Sequence, residues 1–123
     1  MSNVFKLIVA GGRDFFDEAR MEHEVFSLMQ SGFIPHDEPT LVCGMAIGAD
    51  LCAHNLWNRY KCPILKMPAD WKGLGRSAGY IRNVWMAEEA DALLAFWNGQ
   101  SRGTKHMIET MTRKGKPVHV VRY

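Results

Sequence analysis

No apolar stretch in this chain approaches the roughly 20 residues needed to span a bilayer, which excludes a membrane-spanning helix. The first residues also lack the apolar core of a secretory signal, so a cytoplasmic location is expected. Cysteine is scarce: Cys43, Cys52 and Cys62 are odd in number and form no C-x-x-C pair. They read as small apolar core residues rather than metal ligands. His23, His36, His54, His106 and His119 are scattered without ligand spacing, and neither a metal nor a cofactor is expected. Charge of one sign is missing too, since 15 basic and 13 acidic residues leave a net +2 at pH 7. Such a chain carries no strong nucleic-acid signal, and its basic residues must act locally. Repeats, linkers and low-complexity tracts are absent. With 123 residues the chain can bury about two-thirds of its unfolded surface around one core, so residues 1–123 are expected to form a single domain.

Glycine, by contrast, is patterned. Apart from Gly32 and Gly115, which close helical stretches, the eleven glycines fall in four segments, each after a short apolar run. These are Gly11 with Gly12, Gly44 with Gly48, Gly73 with Gly75 and Gly79, and Gly99 with Gly103. The apolar runs at 4–10, 40–43, 63–67, 91–96 and 118–121 predict five strands. Between them, Met21, Val25, Leu28 and Met29 mark a helix over 17–30, and Ala49, Ala53, Trp57 and Tyr60 mark one over 47–60. Helices are also predicted over 80–89, with Ile81, Val84 and Trp85 inward, and over 103–114, with Met107, Ile108 and Met111 inward. Residues 69–79 show neither period and predict a long functional loop.

Strands alternating with helices imply an α/β, Rossmann-like three-layer sandwich. The expected sheet has five mainly parallel strands in the order 3-2-1-4-5. The glycine segments then gather at the carboxyl edge, beside the crevice where the winding reverses.

Four loops carry candidate binding residues. Gly11 and Gly12 allow close backbone approach, and Arg13 either forks onto a phosphate or pairs with Asp14 or Asp17. The segment from Gly44 through Gly48 and Ala49 to Asp50 enters a helix, where amide groups and the helix dipole favour an anion. It is neither a P-loop nor G-x-G-x-x-G. Asp50 is either a dipole partner or a ligand contact for a hydroxyl. Gly99, Ser101, Gly103 and Thr104 repeat the arrangement at another helix start. Arg76 and Arg82 lie on the long loop and the following helix, and Arg76 either closes over phosphate or stays solvated. Trp71 and Trp97 follow strands and can reach the crevice to stack on a base, whereas Trp57 and Trp85 have core spacing.

The segments IVAGGRDF, LVCGMAIGAD, MPADWKGLGRSAGYIRNVWMAEEADALLAFWNGQSRGTKHMI and PVHVV together resemble the YspA/YpsA-related branch of the SLOG superfamily, small Rossmann-like domains. The resemblance spans nearly the whole chain and implies a nucleotide-derived ligand at the carboxyl edge. Asp70, Trp71, Asn83 and the Gly103–Thr104 pair fall in its most specific stretches. The superfamily also holds phosphoribohydrolases, whose E-R-K-x-x-M segment is matched here by Arg82 and Met86, with Ile81 in place of the acid. Their P-G-G-x-G-T-x-x-E glutamate is replaced by Met107. Glu109, about 200° further round the helix, is no substitute.

The expected function is therefore a nucleotide-binding or nucleotide-sensing protein. The alternatives are an N-glycosidic hydrolase using Arg82 with Asp14, Asp50 or Asp70, and a protein or DNA interaction module. Eight methionines suggest an adaptable helical face and a homodimer or larger homo-oligomer.

Overall fold

β1 (Lys6–Gly11) occupies the middle of the sheet, and its alternation explains why the core has two sides. Leu7 and Val9 join one apolar cluster and Ile8 the other, all three fully buried. The computed structural model describes residues 4–123. Its five strands pair in the order β3-β2-β1-β4-β5, with β2 at Thr40–Cys43, β3 at Ile64–Lys66, β4 at Ala92–Trp97 and β5 at Val118–Arg122. All four pairings are parallel, and Leu7 stands between Leu41 of β2 and Ala92 of β4. The expected fold and strand order are those observed.

α1 (Glu18–Ser31) and α2 (Ala49–Arg59) cover the face that carries Leu7, Leu41, Leu94 and Phe96. Asp17 caps α1 by accepting from the Arg20 amide at 3.0 Å, and Gly32 ends it in the left-handed conformation at φ 85°. On the other face, α4 (Ala78–Glu89) and α5 (Arg102–Arg113) place Met86, Met107 and Met111 against Ile8, Val42, Leu93 and Ala95.

Four local expectations need correction. Residues 69–79 are not an irregular loop: α3 (Trp71–Leu74) makes one turn, a 3-10 turn follows at Gly75–Ser77, and α4 begins at Ala78. No residue of α3 or the 3-10 turn is buried, so no apolar period existed to reveal them. The inward face of α4 is Ala78, Asn83, Met86 and Ala87, while Trp85 is 49 % exposed. A polar residue and small alanines disguised that stripe. Tyr60, at the C-terminal cap of α2, is half exposed, and Cys62 is only partly buried, although Cys43 and Cys52 are core. The methionines Met21, Met86, Met107 and Met111 fill the core.

Candidate anion-binding cleft

Where the winding reverses between β1 and β4, the loops at the carboxyl edge surround a cavity of about 670 Å³. Gly11 and Arg13 reach it from the end of β1, and Gly44 and Asp50 from the loop between β2 and α2. Trp71, Arg76, Arg82 and Asn83 form the wall built by α3, the 3-10 turn and α4. Ser101, Gly103 and Thr104 close it at the start of α5. Turns separated by more than ninety positions thus converge on one space because parallel strands all end at the same edge.

Two glycines make this convergence possible. Gly48 has φ 97°, and a Cβ there would run into the Gly12 carbonyl and the Arg13 backbone. The loops after β1 and β2 therefore touch backbone to backbone, and the Ala49 amide donates to Gly12 O at 3.1 Å. Leu51 and Cys52 donate to Ala46 O and Gly48 O. Three amides at the start of α2 are thus engaged by the protein itself, and the loop carries less free donor capacity than its glycines suggest. At Gly44 the missing side chain makes room for Arg82 and Asp50, both of which a Cβ would meet.

Arg82 is the braced cation of the cleft. Its Nη1 donates to Gly44 O at 2.6 Å and its Nε to Asn83 Oδ1 at 3.2 Å, which fixes the guanidinium plane. Asn83, itself buried, donates through Nδ2 to Gly103 O and to His106 Nδ1, both at 3.2 Å, so it ties α4 to the start of α5. That contact assigns the His106 proton to Nε2, which faces Thr110 Oγ1 at 3.5 Å, while the Thr110 hydroxyl donates to His106 O. Burial pushes the His106 pKa down, as does Arg113, with Glu109 opposing. Asp50 accepts from the Ala46 amide at 3.3 Å. Its burial raises the carboxyl pKa to about 6, against the pull of Arg82.

Arg13 and Arg76 differ from Arg82: neither has a hydrogen-bond or ion-pair partner for its side chain among the described residues. Among the described residues Asp50 is the only acidic one in the lining. The cleft therefore holds three guanidinium groups against one carboxylate.

The remaining candidates lie outside the lining. Gly12 sits beneath the Tyr123 hydroxyl, which donates to Asp14 Oδ1 at 2.6 Å, so both residues belong to a tether between β1 and the end of β5. Burial, with the Asp14 contact, lifts the Tyr123 pKa to about 12. Gly48 and Ala49 hold the loops together behind the cavity. Asp70 caps α3, accepting from the Gly73 amide at 2.9 Å. Trp97 donates to Ser101 O at 3.1 Å and lies under the Arg122 guanidinium, 5.2 Å from its ring centre, with Gly99 against the same arginine. These contacts build the corner between β4 and β5. Asn98 shapes it by accepting from the Gln100 and Ser101 amides, and Ser101 caps α5 by accepting from Thr104.

Sequence reasoning missed Tyr80, which is 45 % exposed at the mouth and packs edge-to-face on His106, with ring centres 4.6 Å apart. The spacing Tyr80 to Asn83, three residues along a helix, could have placed both on the cleft side. Ile47, 64 % exposed, and Met45, at φ 63°, were also unmarked as lining residues, and both belong to the segment already singled out. With Trp71 these groups give the mouth an apolar, aromatic rim over a basic floor.

Among the described residues no cluster of three or more His, Cys, Asp or Glu side chains could hold a metal ion, and no helix is long and apolar enough to cross a membrane. No family model matches the chain, and no solved structure matches it. It is similar to the gene 61 protein of Mycobacterium phage D29, with 43 % identity over 51 residues, a stretch covering 41 % of this chain and 41 % of that protein.

Proposed function

We propose that the cleft binds a nucleotide or nucleotide-derived anion, as a sensor or binding protein of the SLOG type. One observation carries the reading: Arg13 and Arg76 face the cavity without partners beside the braced Arg82, under a rim bearing Trp71 and Tyr80. Unpaired guanidiniums suit phosphate oxygens, which accept two parallel N–H donors, and aromatic rings suit the flat face of a base. A volume of about 670 Å³ is in the range of small-ligand sites.

Thermal-shift and calorimetric titration with mono- and dinucleotides, cyclic nucleotides and ADP-ribose derivatives tests this directly. A binder at one hundred times its Kd stabilises the fold by about 2.7 kcal/mol. Its response should fall in Arg13→Ala and Arg76→Ala. A flat response across the panel rejects the proposal.

One observation favours a second, hydrolytic reading. Of the three carboxylates able to assist N-glycoside cleavage, Asp14 is tethered to Tyr123 and Asp70 caps a helix, but Asp50 lines the cleft and holds its proton to about pH 6. There it would protonate a departing base while Arg82 orients the phosphate. Release of free base that ceases in Asp50→Asn supports hydrolysis, and chromatographically intact nucleotides count against it.

A further inference from the structure

A second cavity, of about 320 Å³, lies between α1, α2 and the segment leading into β2. α2 returns antiparallel to the strands, so its N-terminal end borders the cleft and its C-terminal end borders this cavity, at the amino edge of the sheet. Val25, Met29, Leu56 and Trp57 form the floor. The Trp57 indole N–H is already satisfied by Pro39 O at 2.8 Å, and the residue is buried, so it forms the apolar base of the cavity. Phe26 and Tyr60 flank the opening, 45 % and 50 % exposed and edge-to-face at 5.8 Å.

The polar lining is of one sign. Glu22, Asp37 and Glu38 line the cavity and no lysine or arginine does. Glu22 is already matched, since it accepts from the Tyr60 hydroxyl and lies 3.5 Å from Arg59. The other two are not: Asp37, with a side chain 97 % exposed, has only His36 at 3.8 Å, and the Glu38 carboxylate has no partner among the described residues. The carbonyl end of α2 adds partial negative charge on the same side. Apolar floor, aromatic flanks and unmatched carboxylates are together complementary to a cation with an apolar body.

We infer that this cavity binds a small organic cation of the arylalkylammonium class, its ring against Phe26 and Tyr60 and its ammonium toward Asp37 and Glu38. The volume suits a bicyclic amine and is at the lower end of small-ligand sites, about 300 to 1,000 Å³.

Calorimetric titration with three isosteric probes, tryptamine, tryptophol and indole-3-acetate, isolates the charge. Tryptamine should bind about threefold more tightly than the neutral alcohol, from one exposed ion pair, and the acid should bind least. Raising the salt should narrow the gap. The double variant Asp37→Asn, Glu38→Gln should erase the preference, while Arg13→Ala in the cleft leaves it unchanged. Equal affinity for the three probes, or a tryptamine preference that survives the double variant, overturns the inference. So does binding of a Lys-Lys-Trp-Lys-Lys peptide with no response to any free amine, which would make the face a protein dock. A dimer in light scattering that Phe26→Asp dissolves overturns it too, by assigning the face to a second copy.

Discussion

The cleft and the groove stand at the two ends of the same helix and differ in almost every respect. The cleft is made of loop backbone, three arginines and one buried acid, and the groove of helix side chains, aromatic rings and exposed acids. The contrast follows from the topology. At the carboxyl edge, strands deliver loops whose glycines let backbones meet, so charged side chains from distant turns can share one space. At the amino edge the helices simply end, and what they enclose is the apolar seam between α1 and α2. α2 itself is polarised in the sense of the two linings, with its amide end toward the arginines and its carbonyl end toward the carboxylates.

This contrast can be broken most severely at Gly48. Replacing it with alanine sets a Cβ against the Gly12 and Arg13 backbones at a positive φ, and a loss of about 3 kcal/mol or more is expected in urea unfolding. The cleft should lose its ligand response while the groove keeps its own. A smaller effect comes from Asp50. Its folded pKa of about 6 lies above the unfolded value of 3.8, so the folded state binds the extra proton between them. Stability is therefore highest below about pH 4 and falls by about 3 kcal/mol as pH rises to 6 and beyond, from this group alone. Asp50→Asn should flatten that decline in denaturant titrations at pH 4 to 8, and a parallel decline in the variant would refute the assignment. Next, Tyr123→Phe removes the hydroxyl that reaches Asp14, with about 1 kcal/mol lost at pH 7. Smallest is Glu38→Gln, whose exposed carboxylate has no partner to lose among the described residues. Stability should stay within about 0.5 kcal/mol, sharpening the contrast with the buried acid of the cleft.

Strand order was readable from residues alone because β1 and β4 are largely apolar runs and each is followed by glycine or a turn. Arg82, Asn83, Gly103 and Thr104 were marked, and they do meet across the cavity. Trp97 and Gly99 were marked for the same reason and lie elsewhere, because what places them is Arg122, more than twenty positions on. Trp85 was assigned inward by its helical spacing with Ile81 and Val84. The alanines and Asn83 that occupy that face carry too little hydrophobicity to register. Gly12, Gly44 and Gly48 share one residue type and three separate spatial reasons, each set by a side chain or backbone far along the chain. Such reasons belong to tertiary packing and leave no local trace.

The seam between β1 and β4 joins residues about 85 positions apart, the backbone amide of Lys6 meeting the carboxylate of Asp91. The sheet half carrying β2 and β3 and the half carrying β5 are held to each other chiefly along that line. A molecule resting across it, touching Arg13 on one side and Thr104 on the other, would act as a clasp on the strand pairing of longest sequence separation. Its occupancy would register in how slowly the whole domain comes apart rather than in the fraying of any single loop.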